Sequence, residues 1–147
     1  MKPKKIYLFK NIVLKEGDSP AKAVFSGPGE FEIGPAPEFS GNPEALNPEE
    51  MFVAAVNGCL MTTFFYFVRK LNVEILSYHS GAEGLVEKKA DGFRFTNVKV
   101  RAEVTLKQQE LAEKVRELGV LAEKYCLVSR SVACPIKYSL MVKVKES

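Results

Sequence analysis

Three cysteines, Cys59, Cys126 and Cys134, and a single histidine, His79, are the side chains of this 147-residue chain best suited to nucleophilic, redox or metal chemistry. A thiolate attacks an electrophilic oxygen, becomes a sulfenic acid and then condenses with a neighbouring thiol to a disulfide. Zinc is the competing use, but neither Cys-x-x-Cys nor His-x-x-x-His spacing is present, so no metal is expected. The basic start is followed only by the short mixed run Ile6-Tyr7-Leu8-Phe9, which is no signal-peptide core. A cytoplasmic chain is expected, in which three reduced thiols form no structural framework and any disulfide is transient. A cysteine on an apolar helix is most often a small buried hydrophobe, so spacing alone assigns none of the three a catalytic role. His79, between Tyr78 and Ser80 in an extended stretch, reads as a surface or packing residue.

The elements that must position these residues follow from local pattern. With 46% hydrophobic and 27% charged residues, and no biased tract, the composition is that of one soluble domain spanning residues 1–147. The net charge of +3 is interspersed, which leaves no basic stripe for nucleic acid. Lys5 to Leu14 and Ala21 to Ser26 read as strands, and the glycines and prolines from Gly27 to Pro43 read as a long loop.

At Asn47-Pro48-Glu49-Glu50 a helix begins, with Asn47 as N-cap, Pro48 in the first turn and Glu50 closing a capping box. From Met51 to Val68 only Asn57, Gly58, Thr62 and Thr63 interrupt the apolar residues, so this helix is expected to be buried nearly all round. Its length approaches a membrane span. The two carboxylates in its first turn, its internal polar residues and its amphipathic flanks argue against a membrane. A domain this small cannot wrap one helix alone, and a second copy of the chain is expected to cover part of it, as a homodimer.

Downstream, Val73 to Glu87 and the segment from Phe93 to Leu106 form a hairpin about Ala90-Asp91-Gly92, with a bulge near Thr96-Asn97. Leu111, Val115, Leu118 and Ala122 mark an amphipathic helix over Gln108 to Tyr125, weakened by Gly119, with Cys126 at its end. Strict alternation from Ile136 to Lys145 gives the last strand. The cluster Phe64-Phe65-Tyr66-Phe67 is expected in the core, with some members near a thiol pocket.

Two separated stretches, Asn47-Pro48-Glu49-Glu50-Met51-Phe52-Val53-Ala54-Ala55 followed by Cys59, and Tyr125-Cys126-Leu127-Val128-Ser129-Arg130, resemble the OsmC/Ohr family of osmotically inducible protein C and the organic hydroperoxide resistance proteins. The resemblance runs from about Asn47 onward and takes in both cysteines and the final strand; the residues before it match only in strand character. It implies an α+β fold of antiparallel sheets packed around a long buried central helix, in an intertwined homodimer. It also implies a peroxidase that reduces organic hydroperoxides, and hydrogen peroxide, in oxidative stress defence. Cys59 would attack the peroxide, Cys126 would close a Cys59–Cys126 disulfide, and a dithiol such as a lipoylated protein would reduce it, with no cofactor. Cys134 lies beyond the motif and is assigned to packing.

Glu49 matches the family carboxylate that positions a cation beside the thiol, while helix capping is its alternative role, shared with Glu50. Ten residues of continuous helix rise about 15 Å, so Glu49 is expected to serve a thiol across the dimer axis if it serves one at all. The family's arginine in the N-terminal half has no counterpart here, since the first arginine is Arg69. Burial raises a thiol pKa, and a cation, Lys15, Lys22 or Arg130, is therefore expected to lower that of Cys59. The missing arginine keeps open a small-ligand-binding protein or a redox sensor of the same fold.

Overall fold

A computed structural model describes residues 5–145, which divide into one unit ending at Met51 and a second beginning at Phe52. In the first unit, strands β1 (Ile12–Leu14), β2 (Ala21–Phe25) and β3 (Gly29–Ile33) pair antiparallel in that order, with Val13 opposite Ala23 and Ala23 opposite Phe31. β3 lies inside the stretch expected to be loop. Gly27 and Gly29, with φ of 96° and 105°, supply the left-handed backbone that turns β2 back on itself, and Gly29-Glu30-Phe31-Glu32-Ile33 then alternates as a strand. The chain leaving β3 is tied to it where Leu46 N–H donates to Glu32 C=O and Gly34 N–H to Leu46 C=O, both at 2.9 Å.

Helix α1 (Pro48–Leu71) starts where the capping residues place it. The Asn47 carboxamide oxygen accepts the Glu50 N–H at 2.8 Å, and the Asn47 amide donates back to the Glu50 carboxylate at 3.1 Å. One of the backbone donors that a helix start leaves unmatched, the Glu50 N–H, is thereby satisfied, and the Glu50 carboxylate holds the Asn47 side chain in place. Glu50, not Glu49, is the capping partner.

By length and composition α1 could cross a membrane. It buries one stripe only: Val56, Leu60, Phe64 and Val68, each four residues after the last. Burial all round is not observed, because Ala54, Ala55, Thr62 and Tyr66 stay exposed in the single chain. Of the aromatic cluster, Phe64 is fully buried and packs on Tyr78, whereas Tyr66 faces outward beneath the Lys70 ammonium.

The second unit is built on the hairpin of β4 (Ile75–Lys89) and β5 (Gly92–Leu106), which turns at Gly92 with φ 120°. Leu85 pairs with Asn97 and Val86 with Phe95, so Thr96 is the extra residue of a bulge where the side-chain phase was expected to shift. Beyond the bulge, Val98, Val100, Ala102, Val104 and Leu106 alternate inward and meet the buried stripe of α1 in one core. Helix α2 (Ala112–Tyr125) follows a single 3-10 turn at Gln109–Leu111, and a one-turn helix, α3 (Leu127–Arg130), separates Cys126 from the last strand, β6 (Ile136–Val144).

β6 runs parallel to β5, with Val98 opposite Ile136 and Val104 opposite Val142. This corrects the expectation of purely antiparallel sheets. The helical crossover through α2 and α3 returns the chain to the end of the sheet from which β5 set out, and a strand laid down from there must point the same way. Gly119, expected to weaken α2, has a packing reason. A Cβ there would stand 2.8 Å from a Leu140 methyl, so its absence lets α2 lie close on β6.

Candidate active site

Cys59 lies midway along α1, half-buried, directly before the core residue Leu60. Its carbonyl accepts the Thr63 hydroxyl at 2.7 Å and the Thr62 hydroxyl at 3.1 Å, the back-bonding typical of threonine inside a helix. The Thr63 oxygen is also 3.9 Å from Cys59 Sγ. Cys126 is the residue at which the chain leaves α2 and enters α3, with an extended backbone (φ −62°, ψ 115°) between two helical segments. That break turns the first amides of α3 onto Cys59, and Val128 N–H donates to Cys59 Sγ at 3.5 Å. The two thiols are near enough for each to shift the other's ionisation, and the Ser129 hydroxyl donates to Cys126 Sγ at 3.2 Å.

These contacts divide the thiols electrostatically. Burial pushes the Cys59 pKa up, but hydrogen bonds from the Val128 amide, the Cys126 side chain, the Thr63 hydroxyl and the Leu127 amide outweigh it and hold the thiol below its ordinary value. Burial pushes Cys126 up, and Cys59 beside it adds to the rise, against an opposing pull from Ser129. One proton is therefore shed early and one late, which suits a nucleophile beside a thiol that reacts second.

The sign of the pH dependence follows directly. Only an accessible thiolate alkylates, so the rate of Cys59 modification by iodoacetamide rises through a midpoint below that of an ordinary thiol, while the buried Cys126 is modified far more slowly at every pH. Peptide mapping of alkylation against pH reads both. Cys126 titrating before Cys59 would contradict the arrangement.

A family model described as OsmC-like protein matches residues 41–141, a span that includes both thiols and all of the second unit's sheet except its last residues. The chain belongs to the OsmC family. Its fold is similar to solved structures of that kind. An OsmC-like protein of unknown function from Vibrio cholerae superposes with a TM-score of 0.80 at 23% identity, covering 92% of this chain and 100% of the other. An organic hydroperoxide resistance protein from Elizabethkingia anophelis gives 0.72 at 20%, over 97% and 99%. One named organic hydroperoxide resistance protein OsmC, from Legionella pneumophila, gives 0.69 at 20%, over 94% and 99%. No curated protein matches the chain by sequence.

Against the OsmC resemblance, the structure brings Cys59 and Cys126 together within the second unit. Glu49 stands in the first turn of α1, ten residues before Cys59 on one unbroken helix. The rise of about 15 Å keeps it from the thiol of its own chain. The groups that lower the Cys59 pKa within the second unit, Val128, Cys126, Thr63 and Leu127, are all uncharged. Lys15 is turned onto the carbonyls of Gly17 and Ser19 at 2.6 and 2.8 Å, and Lys22 onto Glu30 at 3.7 Å. Arg130 sits in the last turn of α3.

The Cys126 side chain is fully buried, and Arg130 N–H closes back on its carbonyl at 3.0 Å. Cys134 packs half-buried against the core, and His79 is exposed on β4 opposite Glu103. Among the described residues, no three His, Cys, Asp or Glu side chains group as metal ligands would.

The site residues that sequence reasoning missed are Leu127, Val128, Ser129 and Thr63. Leu127 and Val128 act through backbone amides, which every residue but proline carries, so their side chains give no signal. Ser129 was visible only as part of the motif around Cys126. Thr63, four residues after Cys59, is one helical turn away and was legible from that spacing.

Proposed function

We propose that the chain is a cysteine-based peroxidase that reduces organic hydroperoxides, and by the same chemistry hydrogen peroxide. The observation that carries this reading is the half-buried Cys59 thiol, which accepts the Val128 N–H and is held below its ordinary pKa by neutral donors, beside a second thiol of raised pKa. Family membership and the fold shared with proteins named for organic hydroperoxide resistance support it.

In this reading the Cys59 thiolate attacks one peroxide oxygen, the O–O bond breaks, and the alkoxide takes a proton and leaves as alcohol. Cys59 is then a sulfenic acid. The Cys126 sulfur attacks it as thiolate, the S–O bond breaks, and hydroxide leaves as water with the proton that Cys126 gave up. The resulting Cys59–Cys126 disulfide is reduced by a dithiol, of which a lipoyl group is one, and the thiols return.

The neutral donors at Cys59 Sγ take the part that an arginine plays elsewhere in the family. The same reading makes the working form a homodimer, in which a second copy covers apolar surface that α1 leaves open, such as Tyr66 and Leu71, each 45% exposed, and Glu49 acts across the dimer axis. Steady-state consumption of cumene hydroperoxide with dihydrolipoamide as reductant tests the function. Turnover dependent on both substrates is the expected result, and none at any ratio of the two removes the proposal.

A further inference from the structure

The two sulfurs of the site differ in access and in partners. Cys126 is 0% exposed, and its Sγ accepts the Ser129 hydroxyl at 3.2 Å. Cys59 is only half-buried, and its Sγ accepts the Val128 amide at 3.5 Å. Thiol–disulfide exchange has one attacked sulfur and one leaving sulfur, and which is which depends on access and on the stability of the departing thiolate. Those criteria conflict here. The donors around Cys59 make it the better leaving group, whereas the burial of Cys126 denies an incoming thiol any approach to it. Access wins, because a sulfur that cannot be reached cannot be attacked, whatever its partner's basicity. The departing Cys126 thiolate then needs a donor inside the protein, and the Ser129 hydroxyl already points at it.

We infer that a dithiol reductant attacks Cys59 Sγ of the Cys59–Cys126 disulfide and that Ser129 is a catalytic residue of this step, stabilising Cys126 as it leaves. The inference rests on the proposed peroxidase cycle for its disulfide. In the step, the reductant thiolate forms a bond to Cys59 Sγ, the Cys59–Cys126 bond breaks, and its electron pair passes to Cys126 Sγ. There it accepts the Ser129 hydroxyl hydrogen bond and then takes up a proton from solvent. The second thiol of the reductant, as thiolate, attacks the reductant sulfur held on Cys59 and closes a reductant disulfide. Cys59 departs as the thiolate that the Val128 amide receives. Two electrons have moved from the dithiol to the protein.

The test starts from disulfide made with diamide, so that it does not depend on peroxide. Reduction by dihydrolipoamide is expected to be about tenfold slower in Ser129→Ala, the worth of one hydrogen bond to a charged group, and to return to within about twofold of wild type in Ser129→Thr, which keeps the hydroxyl. In the wild-type protein, exposure of the disulfide to excess glutathione followed by acid quench is expected to leave the adduct on Cys59 in the peptide map. An adduct on Cys126, or Ser129→Ala reduced at the wild-type rate, overturns the inference. If peroxide fails to oxidise the protein while the diamide disulfide shows this dependence, the peroxidase reading falls and the inference stands. If diamide links no Cys59 to Cys126, both fall.

Discussion

Cys59→Ser is expected to abolish the proposed hydroperoxide turnover, with a fall of about a thousandfold or more, because a hydroxyl at that position is protonated at neutral pH and cannot be oxidised to a sulfenic acid. The substitution is small, and the half-buried position on α1 tolerates an oxygen in place of sulfur, so folding is retained. Cys126→Ser is the informative companion: it leaves the attacking thiol in place, and one equivalent of peroxide is expected to yield a sulfenic acid that a dimedone-type reagent captures. Peroxide consumption by Cys59→Ser at the parental rate would move the chemistry to another residue.

The second large effect concerns stability. Phe64 is completely buried, four residues from Leu60 and Val68 on the stripe that α1 turns to the core, with ring centroids 5.4 Å from Phe65 and 5.6 Å from Tyr78. Phe64→Ala removes that ring from a packed interior and is expected to cost about 3–5 kcal/mol, the transfer of the lost atoms plus the cavity they leave. Against a total stability of about 5–15 kcal/mol, this is a large share. Urea denaturation followed by circular dichroism reads it as a lowered midpoint with an unchanged slope. A shift as small as that of a surface substitution would mean that the α1 stripe is not the centre of the core.

Local signals were legible in the sequence wherever the chain's immediate neighbours decide the structure. Asn47, Pro48 and Glu50 mark the start of α1 because a helix terminus is satisfied by residues three apart. The phase shift about Thr96 reveals a bulge because side chains alternate strictly on either side of it. What depends on distant partners was not legible. The direction of β6 is set by the crossover that precedes it, and its own residues alternate the same way in a parallel or an antiparallel ladder. β3 is short and begins at a glycine, so its turn residues read as loop.

The candidate site divides in the same way. The two cysteines stand in the sequence with their motifs, while the donors that set their chemistry are backbone amides at the break between α2 and α3 together with the Thr63 and Ser129 hydroxyls. An expectation that a buried thiol needs a cation follows from side chains alone, and backbone amides can meet the same need without one.

The central claim, that Cys59 and Cys126 form a working redox pair, is tested most directly by adding one equivalent of cumene hydroperoxide to the fully reduced protein, counting the remaining thiols and mapping any disulfide by mass spectrometry. The predicted result is rapid loss of two thiols with a Cys59–Cys126 linkage and Cys134 still free. Three intact thiols, or a disulfide that includes Cys134, would contradict it.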